Sequence, residues 1–165
     1  MTGGSLVSCR NRRGELALRY LVFPLCIALA ACGPYPQDIS GTLDDIERTR
    51  EFNVGLTDLR PADRAAALRF VGRLERATGA QAHVSTGPAE AQLARLETDR
   101  LDLVIGEFAE DTPWMQHVSM LEPLSRRAVG ERVLGLVPAT ANGENRWIAL
   151  IEREIRDSPK KAPPA

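Results

Sequence analysis

The chain has 165 residues, room for one domain and little more. Its 21 basic and 22 acidic side chains are interleaved rather than gathered into a stripe, which excludes the electrostatic footprint of a nucleic-acid binder. Aromatic residues make up only 5% of a composition that is 44% hydrophobic, so the core is expected to be mainly aliphatic.

Arg10, Arg12, Arg13 and Arg19 form a positive region, followed by an apolar run from Tyr20 to Ala31 that ends in small side chains. This is the build of a secretory signal. A membrane span needs about 20 apolar residues, and this run is shorter and interrupted by Pro24. Its end, Leu29-Ala30-Ala31-Cys32, resembles the lipobox of bacterial lipoproteins. The resemblance implies cleavage before Cys32 and acylation of Cys32, with stable anchoring because two or three acyl chains hold where one binds marginally. Gly33 rather than Asp at the second mature position implies outer-membrane delivery if the envelope is Gram-negative. The alternatives are an ordinary cleaved signal or an uncleaved anchor.

Cysteine usage favours the lipobox. Cys9, Cys26 and Cys32 all lie at or before the cleavage site, so the mature domain has no further thiol for a disulfide or a metal. Losing residues 1–31 removes four arginines and Glu15, leaving 17 basic and 21 acidic residues. No polybasic surface patch remains, so attachment rests on the lipid.

Residues 32–40 read as a tether, with Pro34 and Pro36 near Gly33. Residues 41–156 read as one α/β domain, and 157–165, with Pro159, Pro163 and Pro164, as a disordered tail. Within the domain, Thr42 to Arg50 is expected to be helical, leading to a strand from Glu51 to Leu56. Pro61 suits the first turn of the next helix. There Ala67, Phe70, Val71, Leu74 and Ala77 form one apolar stripe and Gly79 provides the stop. Gln81 to Ser85 makes a second strand. Thr86-Gly87-Pro88 opens a helix with Ala89, Leu93 and Leu96 on one face and Glu90 near its positive end. Leu101 to Ile105, apolar except for Asp102, reads as a strand covered on both faces. Glu131 to Val137 supplies another strand, and Glu144 to Ile155 a last helix with Trp147, Ile148, Ile151 and Ile155 inward. Strands alternating with helices predict a three-layer sandwich around a mostly parallel sheet.

Three phrases carry a further likeness: Gly41 to Ile46 before Phe52-Asn53-Val54-Gly55-Leu56, Leu96 to Gly106 with its Asp102-Leu103-Val104-Ile105-Gly106, and Gly143 to Trp147 opening the last helix. Together they resemble the extracytoplasmic solute-binding proteins of ABC importers, of the polar-amino-acid type. The resemblance implies the fold of one lobe of a periplasmic binding protein. It also implies longer, two-lobed relatives that grip the ligand's carboxylate with an arginine soon after the third strand. Here that stretch is Thr112-Pro113-Trp114-Met115, without an arginine, and no sequence remains for a second lobe. A reduced, single-lobe relative is the expectation.

In open α/β sheets ligands sit beyond the carboxyl ends of the strands. The residues expected there are Asp58 and Arg60 after the first strand, and Glu107 and Trp114 after the covered one. Each has a bland alternative: a surface pair for Asp58 and Arg60, a solvated loop carboxylate for Glu107, a cover for the sheet edge for Trp114. Glu107 beside a ligand carboxylate would repel it by roughly 1 kcal/mol or more near a protein surface. Glu110 and Asp111 lack the spacing of a calcium loop. His83 and His117 neighbour no nucleophile, so an enzyme is not expected, nor a metal or cofactor. The expected role is a membrane-anchored extracytoplasmic module that binds a small polar solute, accessory to transport. A protein-interaction or structural role in the envelope is the alternative, and homodimerisation a third possibility.

Overall fold

A computed structural model describes residues 38–158. The signal segment 1–31, Cys32, the tether up to Gln37 and the tail from Pro159 lie outside the described residues. No described helix is long and apolar enough to cross a membrane.

In chain order the elements are α1 (Thr42–Thr49), β1 (Glu51–Leu56), α2 (Pro61–Thr78), β2 (Gln81–Thr86), α3 (Ala89–Glu97), β3 (Leu103–Ala109), a 3₁₀ turn (Pro113–Gln116), β4 (Val118–Met120), β5 (Ser125–Val129), β6 (Arg132–Ala141) and α4 (Asn145–Arg156). Local chemistry sets several of these ends. Pro61 begins α2, where its missing N–H costs nothing, and Gly79 ends it at φ 67°, its N–H donating to the Glu75 carbonyl at 2.8 Å. The stripe on α2 holds except at its end, where Ala77 is exposed and Thr78 is buried.

The six strands form one sheet in the order β2-β1-β3-β6-β4, with β5 also paired to β6. Neighbours β2, β1 and β3 are parallel, whereas β6 runs antiparallel to β3, β4 and β5. Five strands therefore point the same way and β6 alone opposes them. The sheet is mostly parallel in direction, with one reversed strand between β3 and the β4–β5 side.

Alternation along the strands divides the core. Leu103, Ile105 and Leu136 join Phe52, Val54 and Leu56 under α1, α2 and α4. Val104, Phe108, Val137 and Ala139 point to the other face, under α3 with Leu93 and Leu96. This is the expected three-layer α/β sandwich. Trp147 is fully buried and meets Phe52 edge-to-face, and Ile151 and Ile155 are buried beside it, with Ile148 half-buried.

Three differences from the sequence reading matter for the site. The covered strand begins at Leu103 and continues to Ala109, so Gly106 to Ala109, expected as loop, are strand residues paired with β6. Apolar periodicity does not reveal that extension, because Gly106 and Glu107 read as a stop. Gly106 is needed there, since a Cβ would come within 2.6 Å of the Phe108 ring and 2.7 Å of the Thr57 methyl. Second, β4 and β5 were not expected. Third, β5 and β6 form a hairpin over the two-residue turn Gly130-Glu131. Gly130 has φ 61°, and Glu131 is not among the positive-φ residues, the pattern of a turn with glycine in the first central position.

Candidate functional site

The parallel strands end in two differently furnished edges. At the carboxyl edge lie Thr57 after β1, Gly87 after β2, the last residues of β3 and the β5–β6 turn. An open cleft of about 430 Å³ lies there, lined by Ala89, Glu90 and Leu93 of α3, the end of β3, Asp111 to Trp114 and Arg132. Two aromatic rings, Phe108 and Trp114, meet two exposed carboxylates, Glu90 and Asp111, along its walls. Trp114 is half-buried against the core under α3 and meets the His117 ring edge-on at 5.9 Å between centroids.

Glu107 touches this cleft, but the alternation along β3 sends its carboxylate to the opposite face, that of Leu103 and Ile105. There Arg127 of β5 donates two parallel hydrogen bonds to it, Nε to Oε1 at 2.8 Å and Nη2 to Oε2 at 3.0 Å. A planar guanidinium meeting both oxygens is the geometry of a strong, orienting ion pair. Arg60 approaches the same carboxylate at 3.6 Å while it pairs with Asp63 in the first turn of α2. The Arg127 hydrogen bonds hold the Glu107 carboxyl below its ordinary value. Burial opposes that shift, and the charges of Arg127 and Arg60 add to it. Arg127 is correspondingly pushed up, chiefly by its hydrogen bonds to Glu107.

The four residues expected at the site thus separate. Arg60 and Glu107 come together, Trp114 stands on the other face of the sheet beside the cleft, and Asp58 is exposed and does not line the cleft. Glu107 is a strand residue neutralised by arginine rather than a loop carboxylate, so the anticipated repulsion of an anionic ligand is largely cancelled. Glu110 faces Arg126 at 3.7 Å, which leaves Glu107, Glu110 and Asp111 dispersed. His117 pairs with Glu97 at 3.1 Å and His83 with Glu51 at 3.5 Å.

Arg127 was missed. Its signal was present: Ser125 to Val129, then Gly130-Glu131, then Arg132 to Val137 is a run–turn–run pattern with a glycine-led two-residue turn.

The amino edge is different. A small hollow of about 90 Å³ lies there, lined by Ser40, Thr42, Asp45, Asp99, Leu101, Asp102 and Ala141. Around this edge several carboxylates accept backbone N–H groups. Glu144, buried, accepts from Ser40 at 2.6 Å and Thr42 at 2.9 Å. Asp38 accepts from Leu43 at 3.1 Å and from Arg146 at 2.5 Å. Asp102 accepts from the Asn53 N–H at 2.7 Å, and its carboxyl is pushed up, first by burial.

This arrangement is the fold of one lobe of a solute-binding protein. No protein-family model and no curated protein matches the chain. Solved structures do match. The arginine-bound form of domain 1 from TmArgBP superposes with a TM-score of 0.58 at 17% identity, over 70% of this chain and 98% of that one. An ancestral cationic amino acid solute binding protein gives 0.56 at 11% identity, over 70% and 92%. The L-cystine solute receptor of Neisseria gonorrhoeae, unliganded and open, gives 0.54 at 10%, over 70% and 90%. A matched ancestral amino acid-binding protein is described as a precursor of cyclohexadienyl dehydratase. At these identities the likeness is one of fold.

Proposed function

We propose that the chain is a lipid-anchored, extracytoplasmic binding module whose carboxyl edge receives a small polar solute bearing a cationic group, as an accessory to transport. The observation that carries this reading is the cleft itself, where Phe108 and Trp114 stand beside Glu90 and Asp111 at the carboxyl edge of a solute-binding-protein-like lobe. Aromatic faces and carboxylates together favour an ammonium or guanidinium over an anion. The names of the matched proteins, arginine-bound and cationic amino acid-binding among them, support the same ligand class. The reading is of binding, as the names of the matched solute-binding proteins suggest.

The tryptophans give a direct test. Trp147 is fully buried and Trp114 lines the cleft, so a ligand in the cleft changes the fluorescence of Trp114. Titrating the mature domain with arginine, lysine and cystine should shift the emission and raise the melting temperature in the intact protein, with no emission change in Trp114→Phe. No response to any of them would overturn the solute reading. The anchor is tested separately by palmitate labelling, which Cys32→Ala should abolish.

A second reading is favoured by one specific feature. Val129 and Val133, 42% and 46% exposed, lie on opposite faces of the β5–β6 hairpin near its tip, beside Arg132 of the cleft wall. A protein partner, or a second copy, that grips the hairpin tip would cover both and narrow the open side of the cleft. Light scattering that gives a monomer mass, together with unchanged mass in envelope extract, would remove this reading.

A further inference from the structure

We infer that the domain stands on the membrane by its amino edge, so that the carboxyl-edge cleft opens away from the bilayer. This rests on the proposed lipid anchor at Cys32 and adds to it an orientation and a second contact with the lipid.

The chain enters the described domain at Asp38, and that entry is fastened at the amino edge. Asp38 bridges to Glu144, and the Ile39 N–H donates to the Gly143 carbonyl at 3.2 Å. The Ser40 and Thr42 N–H groups end on the Glu144 carboxylate. Gly143 and Glu144 come two and three residues after the end of β6, whose Ala139 pairs with Val104 near the start of β3. Six peptide steps separate Cys32 from Asp38, and these reach at most about 21 Å when fully extended. From Leu103 to Ala109, β3 advances about 20 Å toward the cleft. Turning the cleft onto the bilayer would draw the whole reach of the tether along the side of the domain, an ordering that the amino-edge-down arrangement avoids.

The second observation is Ile39. It is 81% exposed, more than any other exposed large apolar side chain among the described residues, and it lies one residue past the point of entry. One side of it rests on Gly143 and the rest faces outward; against the interfacial region of a bilayer that outer part would be covered. The charges around it do not draw the edge down by themselves. Asp45, Asp99 and Asp102 line the hollow there, Arg100 follows Asp99 in the chain and Arg146 is paired with Asp44, so attraction to anionic lipid is weak and the tether and Ile39 define the contact.

The mature chain has no cysteine except the acylated one, so a single introduced thiol is the only labelling site. The acylated protein is reconstituted in phosphatidylethanolamine–phosphatidylglycerol vesicles that contain a nitroxide-headgroup lipid. A fluorophore is placed through Arg100→Cys at the amino edge or Glu131→Cys at the hairpin turn; both side chains are exposed. Quenching severalfold stronger at position 100 than at position 131 is expected. Equal or reversed quenching in protein that floats with the vesicles overturns the orientation and leaves the anchor standing. Failure of the intact protein to float, or flotation unchanged in Cys32→Ala, overturns the anchor and the orientation with it.

Discussion

The two edges of the sheet are held by different kinds of bond. At the amino edge carboxylates chiefly accept backbone N–H groups: Asp38 and Glu144 cross-link the start of α1 to the start of α4, beside one side-chain pair, Arg146 with Asp44, and Asp102 ties β3 to β1. At the carboxyl edge side-chain charges meet side-chain charges: Glu107 with Arg127 and Arg60, Arg60 with Asp63, Arg126 with Glu110. A backbone donor has no other partner to move to, whereas a guanidinium can exchange one carboxylate for another. One edge is built as a joint and the other as a surface whose partners can be replaced.

The largest effect should therefore come from breaking the joint at its core. Trp147 is fully buried, packs on Phe52, and its Nε1–H donates to the Asp102 carbonyl at 2.8 Å. Trp147→Ala is expected to cost about 3–5 kcal/mol, read as a lowered urea midpoint at unchanged slope. That is a large share of a small domain's stability of roughly 5–15 kcal/mol. Next is Glu144→Ala, which leaves the Ser40 and Thr42 N–H groups without their acceptor and should cost about 1–3 kcal/mol. Amide exchange at Ser40 and Thr42 should accelerate while exchange in β2 stays as it was. Acceleration spread evenly over the domain would show that the clamp is not local.

At the carboxyl edge the expected loss is smaller, and its pH dependence has the opposite sign. The folded state holds Glu107 below its ordinary value, so the pair contributes stability above about the model-peptide range near pH 4 and loses it as pH falls through the lowered pKa. Asp102 is raised, so the fold favours its protonated form and stability declines as pH rises from its ordinary range toward the raised pKa. Glu107→Gln should cost less than about 1 kcal/mol at neutral pH, because the pair is partly exposed and screened. The deficit should vanish in acid. Asp102→Asn should show its relative gain at neutral pH and lose it in acid. Parallel pH profiles for the two variants would remove the contrast between the edges.

How far this was readable from the residues differs between the edges. Leu101 to Ile105, the α2 stripe from Ala67 to Leu74 and the Trp147 face of α4 announced the layers, because burial on both faces removes polar alternation and a helix stripe repeats at its own period. The site was less legible. Glu107 finds Arg127 across the intervening strand β6, a relation fixed by the antiparallel register of β6 with both β3 and β5. Nothing in the spacing of two residues twenty positions apart expresses that register. Asp38 and Glu144 are harder still: they lie over a hundred residues apart and meet through a single bridge. The composition around Pro34 and Pro36 counted residues up to Ser40 as tether, though Asp38 to Ser40 are bonded into the domain.

The smallest expected effect sharpens the comparison most cleanly. Asp58 and Arg60 stand two residues apart, and the sequence offered them as one site or one surface pair. The structure separates them: Arg60 turns to Asp63 and Glu107, while Asp58 is exposed after β1 and lines neither the cleft nor the amino-edge hollow. A carboxylate in that position contributes little to stability, so Asp58→Ala should change the unfolding free energy by no more than about 0.5 kcal/mol. It should also leave the Trp114 emission response untouched. A loss of response would mean that ligand reaches across the end of β1, which would move the site from the α3 side of the sheet toward the α2 side and join the two faces into one.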